Sequence, residues 1–309
     1  MAGPSTGQVV SDEERHLLSQ NGYDIGPTLG SGRMGVVYKG VCNDRAYKFY
    51  PNQGLEPVVN ARTFTDNENN VYIERSLSGK LCAIKRLKEP MSRSGMDEAQ
   101  HLVLLNHPNI VEFYTTLTLM GHQYIVLEYL NGGSLADCLR EMQRKNRRFV
   151  DWQVSSIYRQ LLFGLQFAHQ NNIIHKDLQF GNIMFHIPDS RQPDRRVVKL
   201  VDFGAAEEST TKTRGRGVTE TSDIWRLAPA FRAILNQSII RTPGTEQQLR
   251  TIVAKMDEKR YVNIEQVLTE LQPVLDQMPP EPTQETGLTR ASVMERLLYR
   301  FHRQQRQQK

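Results

Sequence analysis

The chain has 309 residues, 39% hydrophobic and 24% charged, enough for one sizeable core or two small lobes. Its formal net charge is +5, but the two signs are interspersed, which argues for a solvated surface and against a nucleic-acid footprint. Cys42, Cys82 and Cys138 are odd in number and lack metal-ligand spacing, and no apolar run approaches the ~20 residues of a membrane helix, so a transmembrane segment is not expected.

Residues 1–22 are polar without a clear period and open on no apolar leader, so they read as a loose lead-in. With the three thiols, this makes a reducing cytoplasmic setting the expectation, with the nucleus as a second location. Ile25 to Val37 runs Ile-Gly-Pro-Thr-Leu-Gly-Ser-Gly-Arg-Met-Gly-Val-Val and places Gly30, Gly32 and Gly35 as G-x-G-x-x-G. Glycines let backbone N–H groups close over phosphate, although the same spacing also serves a plain turn. A dinucleotide-binding reading needs a helix straight after the last glycine. Val36-Val37-Tyr38 is β-branched and aromatic, which predicts strand, loop, strand.

Two Ala-x-Lys triplets follow, Ala46-Tyr47-Lys48 and Ala83-Ile84-Lys85, separated by a polar stretch from Pro51 to Asn70 that reads as an insertion. Val71–Glu74 and Lys80–Leu87 are strand patterns around a Ser-Gly turn. Asp97 to Leu105 reads as the end of an amphipathic helix closed by Asn106-His107-Pro108. Gln123 to Leu130 is a strand, and Asn131-Gly132-Gly133-Ser134-Leu135 is a turn capped into a helix. Trp152, Ile157, Leu161, Leu165 and Ala168 recur at helical spacing, with Asp151 as the expected N-cap.

The densest chemistry comes next. Ile173-Ile174 leads into His175-Lys176-Asp177, Asn182 lies five residues after the Asp, and Leu200-Val201-Asp202-Phe203-Gly204 follows a β-rich segment. Each Asp or Asn alone is an ordinary turn residue. Together, after a Gly-rich turn, they supply one carboxylate to orient a hydroxyl and hard oxygens for Mg²⁺ on nucleotide phosphates.

On these motifs the chain resembles the protein kinase family, across residues 23–275 and most closely from 80 to 204. The resemblance implies an α+β, two-lobed fold. A small antiparallel β lobe with one helix would span 23–130, interrupted by an insertion near 43–70, and a shortened, mainly helical large lobe would span 131–275. ATP and Mg²⁺ are the implied cofactors, with a protein substrate or a partner kinase as partner. Asp177 would be the catalytic base, and Asn182 and Asp202 would hold metal. Lys85, paired with Glu98, would bind the phosphates, with Lys48 as the alternative lysine. The nucleotide would lie against Leu29, Gly30, Ser31, Gly32, Arg33, Met34, Gly35, Val37, Ala83, Lys85 and Met184, and against the backbone of Glu128 and Leu130, with Leu127 as gatekeeper. His175, Phe203, Leu102 and Phe113 would form an apolar column anchored by Asp223. The implied reaction is γ-phosphoryl transfer to protein hydroxyls, Ser/Thr in the manner of the upstream kinases of MAP-kinase cascades.

Several positions depart from that pattern. Lys176 replaces an Arg, keeping charge but losing the bidentate fork. Gln179 stands where Ser/Thr kinases carry a γ-phosphate lysine. Ser222-Asp223-Ile224-Trp225 follows Gly204 with no Ala-Pro-Glu between, so the peptide platform is expected to be missing or rebuilt. Pro229 falls inside the next helix and is expected to kink it. These departures support a second reading, a pseudokinase-like nucleotide-binding scaffold or a regulator of another kinase. Residues 276–309 read as a Pro-rich linker and a basic tail, whose Met294, Leu297, Leu298 and Phe301 stripe would pack on the large lobe or dock a partner.

Overall fold

The computed structural model describes residues 10–32, 35–51, 63–65, 71–88, 93–210 and 219–282. Arg33, Met34 and the basic tail lie outside these residues. The first described element corrects the sequence reading: helix α1 (Asp12–Gln20) occupies the expected loose lead-in. Ser11 and Glu14 form a reciprocal capping box, with Ser11 Oγ accepting from Glu14 N at 3.1 Å and Glu14 Oε2 accepting from Ser11 N at 2.9 Å. Apolar periodicity missed this helix because its buried positions are Leu18 and a charged residue, Glu14. The other oxygen of Glu14 accepts from Arg86 Nη2 at 3.1 Å and from Tyr124 Oη at 2.6 Å.

Strands β1 (Tyr23–Ser31) and β2 (Gly35–Cys42) form the Gly-rich hairpin. Next come β3 (Tyr47–Pro51), β4 (Thr63–Thr65), β5 (Val71–Ser76) and β6 (Leu81–Leu87), then helix α2 (Arg93–Leu104) and the hairpin β7 (Phe113–Leu119) and β8 (His122–Glu128). The main sheet is antiparallel in the order β1-β2-β6-β8-β7, and β3-β5-β4 is a separate sheet. The sequence pattern joined β5 and β6 in one hairpin. Instead β5 pairs with β3 and β4, while β6 pairs with β2 and β8, so the insertion extends through Ser76. The reason lies at its base. Leu77, buried with Ala46, donates its N–H to Ala46 O at 2.9 Å and closes the excursion there. Gly79, at φ 79°, then turns the chain so that Cys42 N meets Lys80 O at 2.8 Å and β6 starts beside β2.

Alternation along β6 gives its residues two destinations. Cys82 and Ile84 enter the small core with Leu18, Tyr38 and Cys42, and Arg86 meets Glu14 beneath α1. Ala83 and Lys85 face the other way, toward the large lobe.

The large lobe contains α3 (Leu135–Arg144), β9 (Phe149–Val150), α4 (Asp151–Gln170), β10 (Ile173–Ile174), β11 (Ile183–His186), β12 (Val197–Leu200), β13 (Glu207–Glu208), α5 (Glu220–Asn236), β14 (Ser238–Ile239), α6 (Thr245–Asp257) and α7 (Ile264–Leu275). Its core is the α4–α5 contact, where Tyr158 stacks on Phe231 at 3.9 Å and donates its hydroxyl to Phe231 O at 2.6 Å. Asp151 does not cap α4: Val150 holds that position, and the Asp151 carboxylate accepts from Thr242 N at 2.9 Å and Arg241 N at 3.1 Å. Helix α5 continues through Pro229. Pro229 and Trp225 lie on its exposed side, so water can satisfy the Trp225 carbonyl that loses its N–H partner.

Burial weighs on Glu14 against ionisation, but Tyr124, Ser11 and Arg86 outweigh it and hold its carboxyl below the usual range. Glu14→Ala removes the carboxylate paired with the buried Arg86 guanidinium and is expected to cost about 3 kcal/mol in urea or thermal unfolding. Adding Arg86→Met should recover most of that loss. A Glu14→Ala protein as stable as wild type would show α1 to be peripheral.

Candidate active site

The residues of the loop from His175 to Asn182 are placed by one buried carboxylate. Asp223, in the first turns of α5, is fully buried and accepts from His175 N at 2.7 Å, Lys176 N at 2.8 Å and His169 Nε2 at 3.0 Å. Burial alone would raise its pKa, but His169 and the loop amide of Lys176 outweigh it and hold the carboxyl ionised and low. Lys176 sits at φ 67°, a left-handed conformation costing on the order of 1 kcal/mol for a residue with a side chain. The Asp223 bond to its N–H holds that turn, and the next residue is Asp177.

Asp177 Oδ2 accepts from Asn182 Nδ2 at 2.8 Å and from Gln179 Nε2 at 3.0 Å. Asn182 Nδ2 also donates to Asp177 O at 2.9 Å, which leaves the Asn182 Oδ1 as a free oxygen donor. The short turn Phe180–Asn182 makes this reach possible. Lys176 contacts Glu207 on β13, and β13 pairs with β10, so the start of the loop is tied to β13 twice.

The opposite wall comes from β6, α2 and the Asp-Phe-Gly turn. Lys85 Nζ lies 2.7 Å from Glu98 Oε2 and 2.9 Å from Asp202 Oδ1. Burial opposes the ammonium, yet the two carboxylates outweigh it and hold Lys85 above its usual range. One ammonium shared by two carboxylates leaves a surplus negative charge, and burial followed by Asp202 pushes Glu98 upward despite Lys85. Asp202 is left-handed at φ 62°, and Phe203 packs its ring 4.4 Å from His175, whose Nε2 donates to Val201 O at 3.0 Å. Lys48 belongs elsewhere: its ammonium pairs with Glu112 at 2.8 Å.

Of the remaining expected nucleotide contacts among the described residues, residues 29–32, Gly35, Val37 and Ala83 belong to the main sheet and its Gly-rich turn, and Met184 to the β11–β12 hairpin. Val37 is in register with Lys85, and Ala83 with Leu127. Ala83 and Met184 pack partly buried on the main core, while Leu29 at the end of β1 is exposed. Gly32 N donates to Gly35 O at 2.9 Å and closes the Gly-rich turn. A Cβ at Gly30 or Gly32 would meet nothing within 4 Å, whereas one at Gly35 would come within 2.3 Å of Arg86 O. Gly35 is therefore demanded by the neighbouring strand, and Gly30, Ser31 and Gly32 form the open part of the loop. At the hinge, Glu128 N is already donated to Glu112 O at 2.9 Å.

Magnesium suits the oxygens available. Asn182 Oδ1 and the Asp202 oxygen not bonded to Lys85 are hard donors beside a cluster with surplus negative charge. Sequence reasoning missed His169, which reads only as the polar end of α4. Its Nδ1 lies 3.2 Å from Glu220 Oε2, and Glu220 also accepts from Ile264 N at 3.0 Å.

A family model described as "Protein kinase domain" matches residues 69–233, just over half of the chain. A probable serine/threonine-protein kinase nek3 of Dictyostelium discoideum is 28% identical over 51% of this chain and 16% of its own length. A mitogen-activated protein kinase kinase kinase 1a of Physcomitrium patens is 33% identical over 59% of this chain and 19% of its own length. A probable serine/threonine-protein kinase zyg-1 of Caenorhabditis elegans is 36% identical over 48% and 20%. The chain thus spans no more than about a fifth of the length of these relatives.

The electrostatics beneath Asp223 give a pH signature. Burial disfavours a charged His169 ring, but Asp223 and Glu220 outweigh it and push its pKa up to about 9. A folded-state pKa above the unfolded value of about 6.5 contributes stability in full below that value, which is lost as pH rises through about 9. The wild-type Tm should fall across this window, and His169→Gln should flatten that part of the profile. A wild-type Tm constant between these two pH values would count against a charged ring.

Proposed function

The chain belongs to the protein kinase family, and we propose that it transfers the γ-phosphate of MgATP to a protein hydroxyl, Ser/Thr by likeness to its relatives. One observation supports this reading above the others. Lys85 bridges Glu98 and Asp202 while Asn182 orients Asp177 across the cleft, so phosphate, metal and base positions coexist in one conformation.

In this reading Lys85 binds the phosphates and Glu98 fixes its direction. The glycine turn at Gly30–Gly32 covers the triphosphate, Val37, Ala83 and Met184 flank the base, and the Glu128 carbonyl and Leu130 backbone meet its edge. Asn182 and Asp202 would hold Mg²⁺, which neutralises phosphate charge and polarises the transferring group. Asp177 has Oδ2 held by two amides, so Oδ1 is left to accept the proton of the incoming hydroxyl. Cys42, Cys82 and Cys138 are all free and buried, which fits a reducing cytoplasmic setting.

A second reading, a nucleotide-binding regulator, rests on Gln179. Its amide donates to Asp177 and brings no positive charge toward the transferring phosphoryl. The two readings separate on Asp177→Asn. Phosphotransfer should fall by about a hundredfold or more while MgATP still raises the Tm. Lys85→Met should lose both the transfer and the thermal shift. Equal transfer by wild type and Asp177→Asn would remove the catalytic reading, and no MgATP shift in wild type would remove the nucleotide.

A further inference from the structure

A buried ion pair joins the hinge strand to the strand that leads to Asp202, and none of the expected nucleotide contacts uses it. Lys199, on β12, is 9% exposed; its ammonium lies 2.5 Å from Glu128 Oε1 and 3.3 Å from Ile110 O. The same Glu128 oxygen accepts from Glu112 N at 2.7 Å. Further along the hinge, Gly132 N donates to Phe185 O at 2.9 Å and Phe185 N to Gly133 O at 2.8 Å. Asn131 and Ile187 exchange a reciprocal pair at 3.0 and 2.7 Å. The chain from Glu128 to Gly133 is therefore fastened along the β11–β12 hairpin. That hairpin begins directly after Asn182 and runs out toward Asp202.

Stability alone does not call for a lysine here. A buried ammonium–carboxylate pair must offset the desolvation of two ions, and an apolar pair of similar size is often as stable. The pair supplies direction instead. It fixes the end of β8 relative to β12 through charge-assisted bonds that tolerate little displacement.

We propose that Lys199 is a positioning residue for the nucleobase: by holding Glu128 against β12, it sets the distance between the hinge backbone and the Asp202 side of the cleft. The inference rests on the reading of this cleft as a MgATP site. A nucleotide spans both ends, so a hinge free to shift would cost affinity for the base and leave the triphosphate end alone. Preference for adenine over guanine nucleotides would weaken with it, since that choice depends on backbone groups at fixed places.

The test measures affinity of the full chain for MgATP, MgGTP and magnesium tripolyphosphate, which lacks a base. Lys199→Met should weaken MgATP roughly tenfold, narrow the ATP-to-GTP ratio and leave tripolyphosphate affinity unchanged. Lys199→Gln, which keeps an N–H donor toward Glu128, serves if the methionine variant does not fold, and should show the same pattern to a smaller extent. Lys199→Arg should retain wild-type selectivity. Equal loss for MgATP and tripolyphosphate would mark a merely structural lysine and overturn the proposal, as would unchanged MgATP affinity in a folded variant. A wild type that binds neither ligand would overturn the nucleotide reading itself, and this inference with it.

Discussion

The Asp223 carboxylate is the constraint on which the site depends. A fully buried carboxylate is tolerable only when its oxygens are satisfied, and the donors here are two consecutive loop amides and one imidazole. These are the bonds that hold Lys176 in a left-handed conformation and set the direction in which Asp177 leaves the turn. The same loop carries His175, whose ring packs on Phe203 and donates to Val201 O, so the position of Asp202 is linked to that of Asp177. One charge beneath the loop thus orders residues from two neighbouring turns. Asp223 reaches that place because α5 is a long helix with one face in the core of the large lobe, which fixes its first turns under the loop.

Strand β6 performs the corresponding task from the other lobe. Its pleat sends Lys85 to the cleft and Arg86 to the outer face, where Glu14 of α1 and Tyr124 receive it. Both side chains are long and charged, and both would wander on a bare strand. Each is held by a buried carboxylate, Glu98 on one side and Glu14 on the other. The close approach of Gly35 to Arg86 O adds a backbone constraint beside them. Helix α1 therefore belongs to the support of the strand that carries Lys85, although it lies on the face away from the cleft.

Most of the site was legible in the sequence because short motifs fix local geometry. The His-x-Asp loop, the Asn five residues on and Asp-Phe-Gly locate Asp177, Asn182 and Asp202 without any knowledge of packing. The choice between Lys48 and Lys85 was open on sequence, since both follow an Ala-x-Lys pattern; the helix bearing Glu98 reaches Lys85, while Lys48 falls in the inserted sheet beside Glu112. What the sequence hid depends on distant partners. Glu14 looks like a solvated helix residue until Arg86 and Tyr124 arrive from strands more than seventy residues away. The hairpin around Ser78-Gly79 was misread because the turn is real but its upstream partner is β2, reached past an excursion pinned at Ala46 and Leu77. Asp151 has the composition of a helix cap, yet it closes a loop ninety residues on.

The two residues flanking the Asp177 turn explain how this chain differs from its pattern. Lys176 is neutralised by Glu207 on β13, and Gln179 spends its amide on Asp177, so both side chains are taken up by carboxylates of this chain. A loop held this way keeps its geometry without an external anion to organise it. The cost falls on charge. Among the described residues of the loop, no cation is aimed outward at a transferring phosphoryl, and Lys85 already serves two carboxylates. In the proposed reading, ground-state binding of a triphosphate would depend on Lys85 and metal and be little affected by this. The transition state of that proposed transfer, where charge shifts toward the leaving and attacking oxygens, would gain less than beside a free lysine. In the proposed kinase reading, such a site would favour nucleotide retention over rate.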